Sequence, residues 1–141
     1  MDDETGNRVN TEGTRNVVAF VNNLGGHVTL QHTSSVVVAG GEYDGVFTEN
    51  MFDEGQDTSH PYFRTKFESE RIVREECQVP WRIYRPGAVV GSSQTGEIDK
   101  IDGPYYLFPI VRTIRDKVPG WLPLLGVEGG KIPVVPVDYV A

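Results

Sequence analysis

Helical periodicity and short β-branched runs alternate along this chain in the order helix, strand, helix, strand, helix, strand. That order predicts an α/β fold with parallel strands covered by helices, and it places ligand sites at the carboxyl ends of the strands. In NTEGTRNVVAFVNNL, Val17, Val18, Phe20, Val21 and Leu24 recur at helical spacing until the glycine pair Gly25–Gly26. The run HVTLQHTSSVVVAGG then predicts a strand over roughly Val28 to Thr33, with Ser34 and Ser35 at its exit.

A polar segment from Gly41 to His60 reads as a long loop, and long loops in compact domains are often functional. Ser59 or His60 can then cap a helix with Pro61 in its first turn and Phe63, Phe67, Ile72, Val73 and Cys77 on its apolar side. VPWRIYRP predicts a short strand ended by Pro86, and GAVVGSSQTGEIDKIDG a Gly-rich loop. PYYLFPIVRTIRDKV reads as a helix interrupted at Pro109, and KIPVVPVDYVA as a third strand with Asp138 placed as a helix cap. Three strands make a thin sheet. No repeat, low-complexity tract or dividing linker is evident, so residues 1–141 are expected to form a single, partial domain.

The 141 residues carry a net charge of −7 and no local run of Lys and Arg, which argues against nucleic acid and anionic membranes as partners. A single cysteine, Cys77, excludes an internal disulfide, and its apolar surroundings suggest a structural thiol. MDDETGNRVN has neither the basic start nor the apolar stretch of a secretion signal, so the cytoplasm is the expected compartment. No apolar run approaches the ~20 residues of a membrane span. His27, His32 and His60 are scattered without metal-ligand spacing, and no metal is expected.

The chemistry concentrates in SHPYFRTKFESE. Tyr62 and Lys66 are four residues apart, so a helix stacks them on one face. A free phenol titrates near ~10 and exchanges protons poorly at neutral pH, but a neighbouring ammonium favours the phenolate. With a serine hydroxyl to hold the substrate oxygen, supplied by Ser34 or Ser35, the pair becomes an acid/base device for a carbonyl gaining or losing a hydride. The plainer alternative is two surface residues sharing a helix face. Arg82 and Arg85 are candidates for holding a phosphate, although alternation in WRIYR turns at least one of them to solvent.

In this order, NTEGTRNV, HTSSVVVAG, YFRTK, YRPGAVVG and PVDYVA resemble the motifs of the extended short-chain dehydrogenase/reductase family, from Asn10 to Ala141. The resemblance implies Tyr62 as catalytic acid/base, Lys66 as the residue that tunes it and holds the nicotinamide ribose, and Asn10 as support for a proton relay. It selects Ser35, with Ser34 as the alternative, to orient the carbonyl, and it runs the loop from Pro86 to Gly91, including Gly87 and Val89, beside the nicotinamide. The plainer alternative for that loop is a turn set by its Pro and Gly residues.

YRPGAVVGSSQTGEIDKIDGPYY with VPVDYVA is closest in wording to the thioester reductase, or fatty acyl-CoA reductase, branch of that family. The implied function is an oxidoreductase of lipid metabolism that uses NADPH, with NADH as the alternative, to reduce an acyl thioester to an aldehyde or alcohol. Sugar-nucleotide epimerase or dehydratase and hydroxysteroid dehydrogenase activities are alternatives on the same fold. The family's Gly-x-x-Gly-x-x-Gly turn, which binds pyrophosphate at a helix N-terminus, is not in these residues. The expectation is therefore a partial NAD(P)-binding Rossmann fold that lacks the N-terminal nucleotide-binding strands, the catalytic half of a longer reductase. A non-catalytic truncated product that persists by associating with another chain is the reading from a different class.

Overall fold

A computed structural model describes residues 3–41, 43–99, 103–106, 108–117 and 133–141. They fall into two compact units, Met1–Pro86 and Gly87–Ala141. Parallel strands and helices make up both, in agreement with the α/β reading.

The first unit opens with one helical stretch: α1 (Asp3–Gly6), a π-helical segment (Asn7–Glu12) and α2 (Gly13–Leu24). In the π segment the Gly13 amide reaches back five residues to the Arg8 carbonyl. Gly25 ends α2 with φ +75°, a conformation that glycine adopts without steric cost. Strand β1 (Leu30–Thr33) is shorter than the predicted run and pairs in parallel with β2 (Trp81–Tyr84), Leu30 opposite Trp81 and His32 opposite Ile83. A 3₁₀ turn (Val36–Ala39) follows the two serines.

Between β1 and β2 lies α3 (Pro61–Glu76). His60 is its cap: the residue is extended, and its Nδ1 accepts the Tyr62 amide at 3.3 Å. Pro61, whose φ is preset for a helix, fills the first position. Val18, Leu30, Ile72, Val73 and Val79 form the apolar core, with Val21, Val28, Cys77 and Ile83 packed against it. Each such side chain contributes about 1.5–3 kcal/mol when fully buried.

The buried face of α3 departs from the apolar pattern read in the sequence. Thr65, Ser69 and Glu70 are buried alongside Ile72 and Val73, and Glu70 is fully inaccessible. Its carboxylate accepts four donors that make this burial tolerable. Arg85 forks onto both oxygens, Nη2 at 2.6 Å and Nε at 3.1 Å. Arg74 Nε donates to Oε1 at 2.9 Å, and Ser34 Oγ to Oε2 at 2.6 Å. Arg85 also donates to the Thr48 and Met51 carbonyls and stacks on Phe47, tying the long loop to the end of β2.

The second unit contains β3 (Ala88–Val90) and β4 (Val134–Pro136), paired in parallel, with α4 (Phe108–Lys117) and α5 (Val137–Val140). Strand β3 lies inside the segment that reads as a Gly-rich loop, so the described residues hold four short strands in two pairs instead of three in one sheet. Gly87 is required by close approach: a Cβ there would sit 2.3 Å from the Pro133 carbonyl oxygen, which accepts the Ala88 amide. Asp138 does not cap a helix as predicted. It lies inside α5 and accepts the Ser93 amide and hydroxyl at 2.8 and 2.7 Å, because Pro136 already occupies the cap position. Glu42, Lys100, Ile101, Asp102, Leu107, Val118, Lys131 and Ile132 of the predicted runs lie outside the described residues.

Burial alone pushes the Glu70 carboxyl up, but hydrogen bonds from Arg85 and Ser34, the Arg85 charge and the Arg74 bond together hold it below the ordinary value. The stability it contributes is present above the unfolded pKa of ~4.3 and is lost as pH falls through the lower folded value. Glu70→Gln, which strands two arginines, is expected to cost about 3–5 kcal/mol at neutral pH. Urea unfolding across acid pH should show a weaker pH dependence in the variant than in the parent.

Candidate active site

The first turns of α3 and the carboxyl end of β1 carry the candidate side chains. The His60 cap and Pro61 set where α3 starts, and this fixes Tyr62 and Lys66 on consecutive turns. Tyr62 is 38% exposed, and among the described residues its hydroxyl has no hydrogen-bond partner. Lys66 is half-buried; its Nζ lies 3.5 Å from the Thr33 carbonyl oxygen, the last residue of β1. Among the described residues no carboxylate pairs with it. Burial depresses its pKa below the usual lysine value.

Asn10, on the π-helical segment, donates its Nδ2 to Thr65 Oγ1 at 3.1 Å, and that hydroxyl donates to the Tyr62 carbonyl at 3.1 Å. Asn10 is thereby joined to the turn that carries Tyr62 and Lys66. The two serines separate in role. Ser34 is buried and spends its hydroxyl on Glu70. Ser35 is partly exposed, and its Oγ accepts only a long contact of 3.4 Å from the Val37 amide, leaving its proton for another acceptor.

Pro86 comes to the same end of the strand pair, where its carbonyl accepts the Val36 amide at 3.1 Å. Gly87 and Val89 belong to the second unit, Gly87 in contact with Pro133 and Val89 exposed on β3 opposite Val135. Of the two arginines considered for phosphate, Arg82 is exposed, whereas Arg85 is committed to Glu70 and two carbonyls. Cys77 caps the end of α3 and packs against the core.

The carboxylate network was not legible as part of the site, although Glu70 lies four residues past Lys66 on the same helical stripe. His32 was missed too. Its Nε2 is buried with no partner among the described residues, and burial, then the Lys66 charge, lower its pKa against an opposing pull from Glu70.

Residues 3–141 match the family model described as male sterility protein, an NAD-binding domain. The chain belongs to that family, the fatty acyl-CoA reductase-like branch of the NAD-dependent epimerases and dehydratases. No curated protein and no solved structure gives a significant match. Membership makes the chain's general kind that of an NAD(P)-dependent reductase that works with a nicotinamide cofactor. The donor chemistry fits the ribose side of that cofactor: a half-buried ammonium uses one of its three donors on Thr33, one helical turn from a phenol with no hydrogen-bond partner among the described residues. Among the described residues no cluster of His, Cys, Asp and Glu could hold a metal ion, and no helix is long and apolar enough to cross a membrane.

Because the folded state partly desolvates the Lys66 cation, Lys66 costs stability below its depressed folded pKa. That cost is relieved as pH rises toward the unfolded value of ~10.4, since the unfolded chain then holds more protons. Lys66→Met is expected to melt at a higher temperature than the parent at neutral pH. The gap should narrow as the buffer is taken toward pH ~10, and a variant less stable at every pH would contradict this account of Lys66.

Proposed function

We propose that this chain carries the catalytic groups of an NADPH-dependent reductase of acyl thioesters. The observation that carries the reading is the half-buried Lys66 ammonium, paired with no carboxylate among the described residues, on the same α3 face as Tyr62 and at the strand end where the Ser35 hydroxyl accepts only a long contact. The family supports reduction with a nicotinamide; the choice of NADPH and of a thioester rests on the resemblance of YRPGAVVGSSQTGEIDKIDGPYY and VPVDYVA to thioester reductases.

In this mechanism Ser35 donates a hydrogen bond to the thioester carbonyl oxygen and orients it toward the Tyr62 hydroxyl. When bound, the reduced nicotinamide supplies a hydride to the carbonyl carbon. Tyr62 delivers a proton to the oxygen as negative charge grows there. Lys66 holds the ribose hydroxyls with its unspent donors and stabilises the phenolate left on Tyr62. Asn10 acts through Thr65 to hold this turn of α3 in place, and the resemblance assigns it to the support of the proton relay. Departure of the thiol from the adduct yields the aldehyde, which a second round converts to the alcohol. Pro86, Gly87 and Val89 are assigned to the nicotinamide side by the same resemblance, and the cytoplasm is the compartment we assign.

Tyr62→Phe is expected to lower kcat with acyl-CoA substrates about 10²–10⁴-fold. Its melting temperature should stay unchanged, because the lost hydroxyl has no hydrogen-bond partner among the described residues. The serines provide an internal control. Ser34→Ala should lose about 1.5–3 kcal/mol of stability with the bond to Glu70, and Ser35→Ala should lose turnover at near-parental stability. Coenzyme oxidation and thermal melts measured on all three variants test the assignment, and full activity in Tyr62→Phe would end it.

A further inference from the structure

A small cleft begins one residue beyond Ser35. It measures about 190 Å³ and is lined by Val36, Ala39, Phe47, Thr48, Glu49 and Arg85. Its floor is the 3₁₀ turn Val36–Ala39 and its far wall is the long loop, and both are fixed. Gln56 Nε2 bridges the Val38 and Phe52 carbonyls at 2.7 and 2.6 Å, stapling the loop to the turn. Gly40, with φ +80°, passes so close to Asp57 that a Cβ would lie 2.7 Å from its carbonyl oxygen.

The polar groups of the walls are largely used up. The Val36 amide donates to Pro86, the Val37 carbonyl accepts from Gly40, and the Thr48 carbonyl accepts from both Met51 and Arg85. Arg85, the cation of the lining, is ion-paired with Glu70, a carboxylate it shares with Arg74, and stacked on Phe47 at 5.2 Å. What the cleft offers a ligand is the side chains of Val36, Ala39 and Phe47, with the Glu49 carboxylate exposed. A phosphate or carboxylate finds the Arg85 guanidinium already committed there, whereas an aliphatic group gives up only water.

We infer that this cleft receives the first carbons of the acyl group beside the thioester carbonyl held at Ser35, and so sets chain-length or branching preference. The inference rests on the thioester reading of the site. At ~30 Å³ for each water-sized group, the volume admits about six heavy atoms, a short or branched segment, with any longer chain continuing toward solvent.

Straight-chain alkanols from ethanol to decanol, titrated into the isotope-labelled protein and followed by NMR, test the cleft without any carbonyl to reduce. Affinity is expected to tighten about fourfold per methylene and to level off near six carbons, with amide shifts gathered at Val36, Ala39, Thr48 and Glu49. Ala39→Leu should remove the longer members' advantage, and Val36→Ala should move the plateau outward. Shifts gathered elsewhere, or a series indifferent to both variants, overturn the assignment. The two readings fail separately: alkanol binding in the cleft with no thioester turnover refutes the thioester reading alone. Turnover whose chain-length profile ignores both variants refutes the cleft alone.

Discussion

The Glu70 carboxylate, sealed inside the first unit and saturated by two arginines and a serine, is the interaction on which the other contacts depend. It joins the end of β1 through Ser34, the end of β2 through Arg85 and, through the same guanidinium, the loop carbonyls of Thr48 and Met51. A two-stranded parallel pair has little cohesion of its own. The ion cluster supplies what neighbouring strands would, and directionality makes it specific. It also explains the state of Lys66. The only buried carboxylate on the same helical stripe already has both oxygens occupied, so the ammonium one turn away keeps its charge for another purpose.

Much of this arrangement could be read from residue order. Pro61 after a capping His60, glycine after Leu24, and β-branched runs closed by serine or proline each have one physical meaning, and α2, β1, α3 and β2 form where those signals lie. Periodicity failed where burial and polarity part company. A rule that counts apolar positions turns Thr65, Ser69 and Glu70 outward; the partners of Thr65 and Glu70, 15 to 55 residues away in sequence, show that this face turns inward, while Ser69 is buried with its hydroxyl on the Lys66 carbonyl. Strand β3 escaped because three residues flanked by Gly87 and Gly91 look like a turn until β4 is there to pair with them. The division of labour between Ser34 and Ser35 was equally invisible, since it depends on which hydroxyl a distant carboxylate captures.

The same contrast applies to the glycines of the second unit. Gly87 and Gly91 read as flexible turn formers, yet both are places where backbone from another segment comes closer than any side chain allows, Pro133 in one case and Gly96 with Glu97 in the other. Tyr105 closes the second of these contacts by accepting the Gly91 amide on its hydroxyl oxygen. Such positions constrain sequence through packing and not through chemistry, which is why a motif of Pro and Gly is weak testimony about a ligand.

The π-helical turn before α2 has a consequence of another kind. A turn with a five-residue reach holds one residue more than an α-helical turn, so the helix upstream of it is out of phase with the helix downstream by about 100°. Asn10, whose amide meets Thr65, lies within that turn. Deleting a single residue between Asn7 and Glu12 would leave a smoother, intrinsically better helix whose asparagine points away from α3. The irregularity works as a clocking device: helical regularity is given up so that one side chain arrives at the right hour.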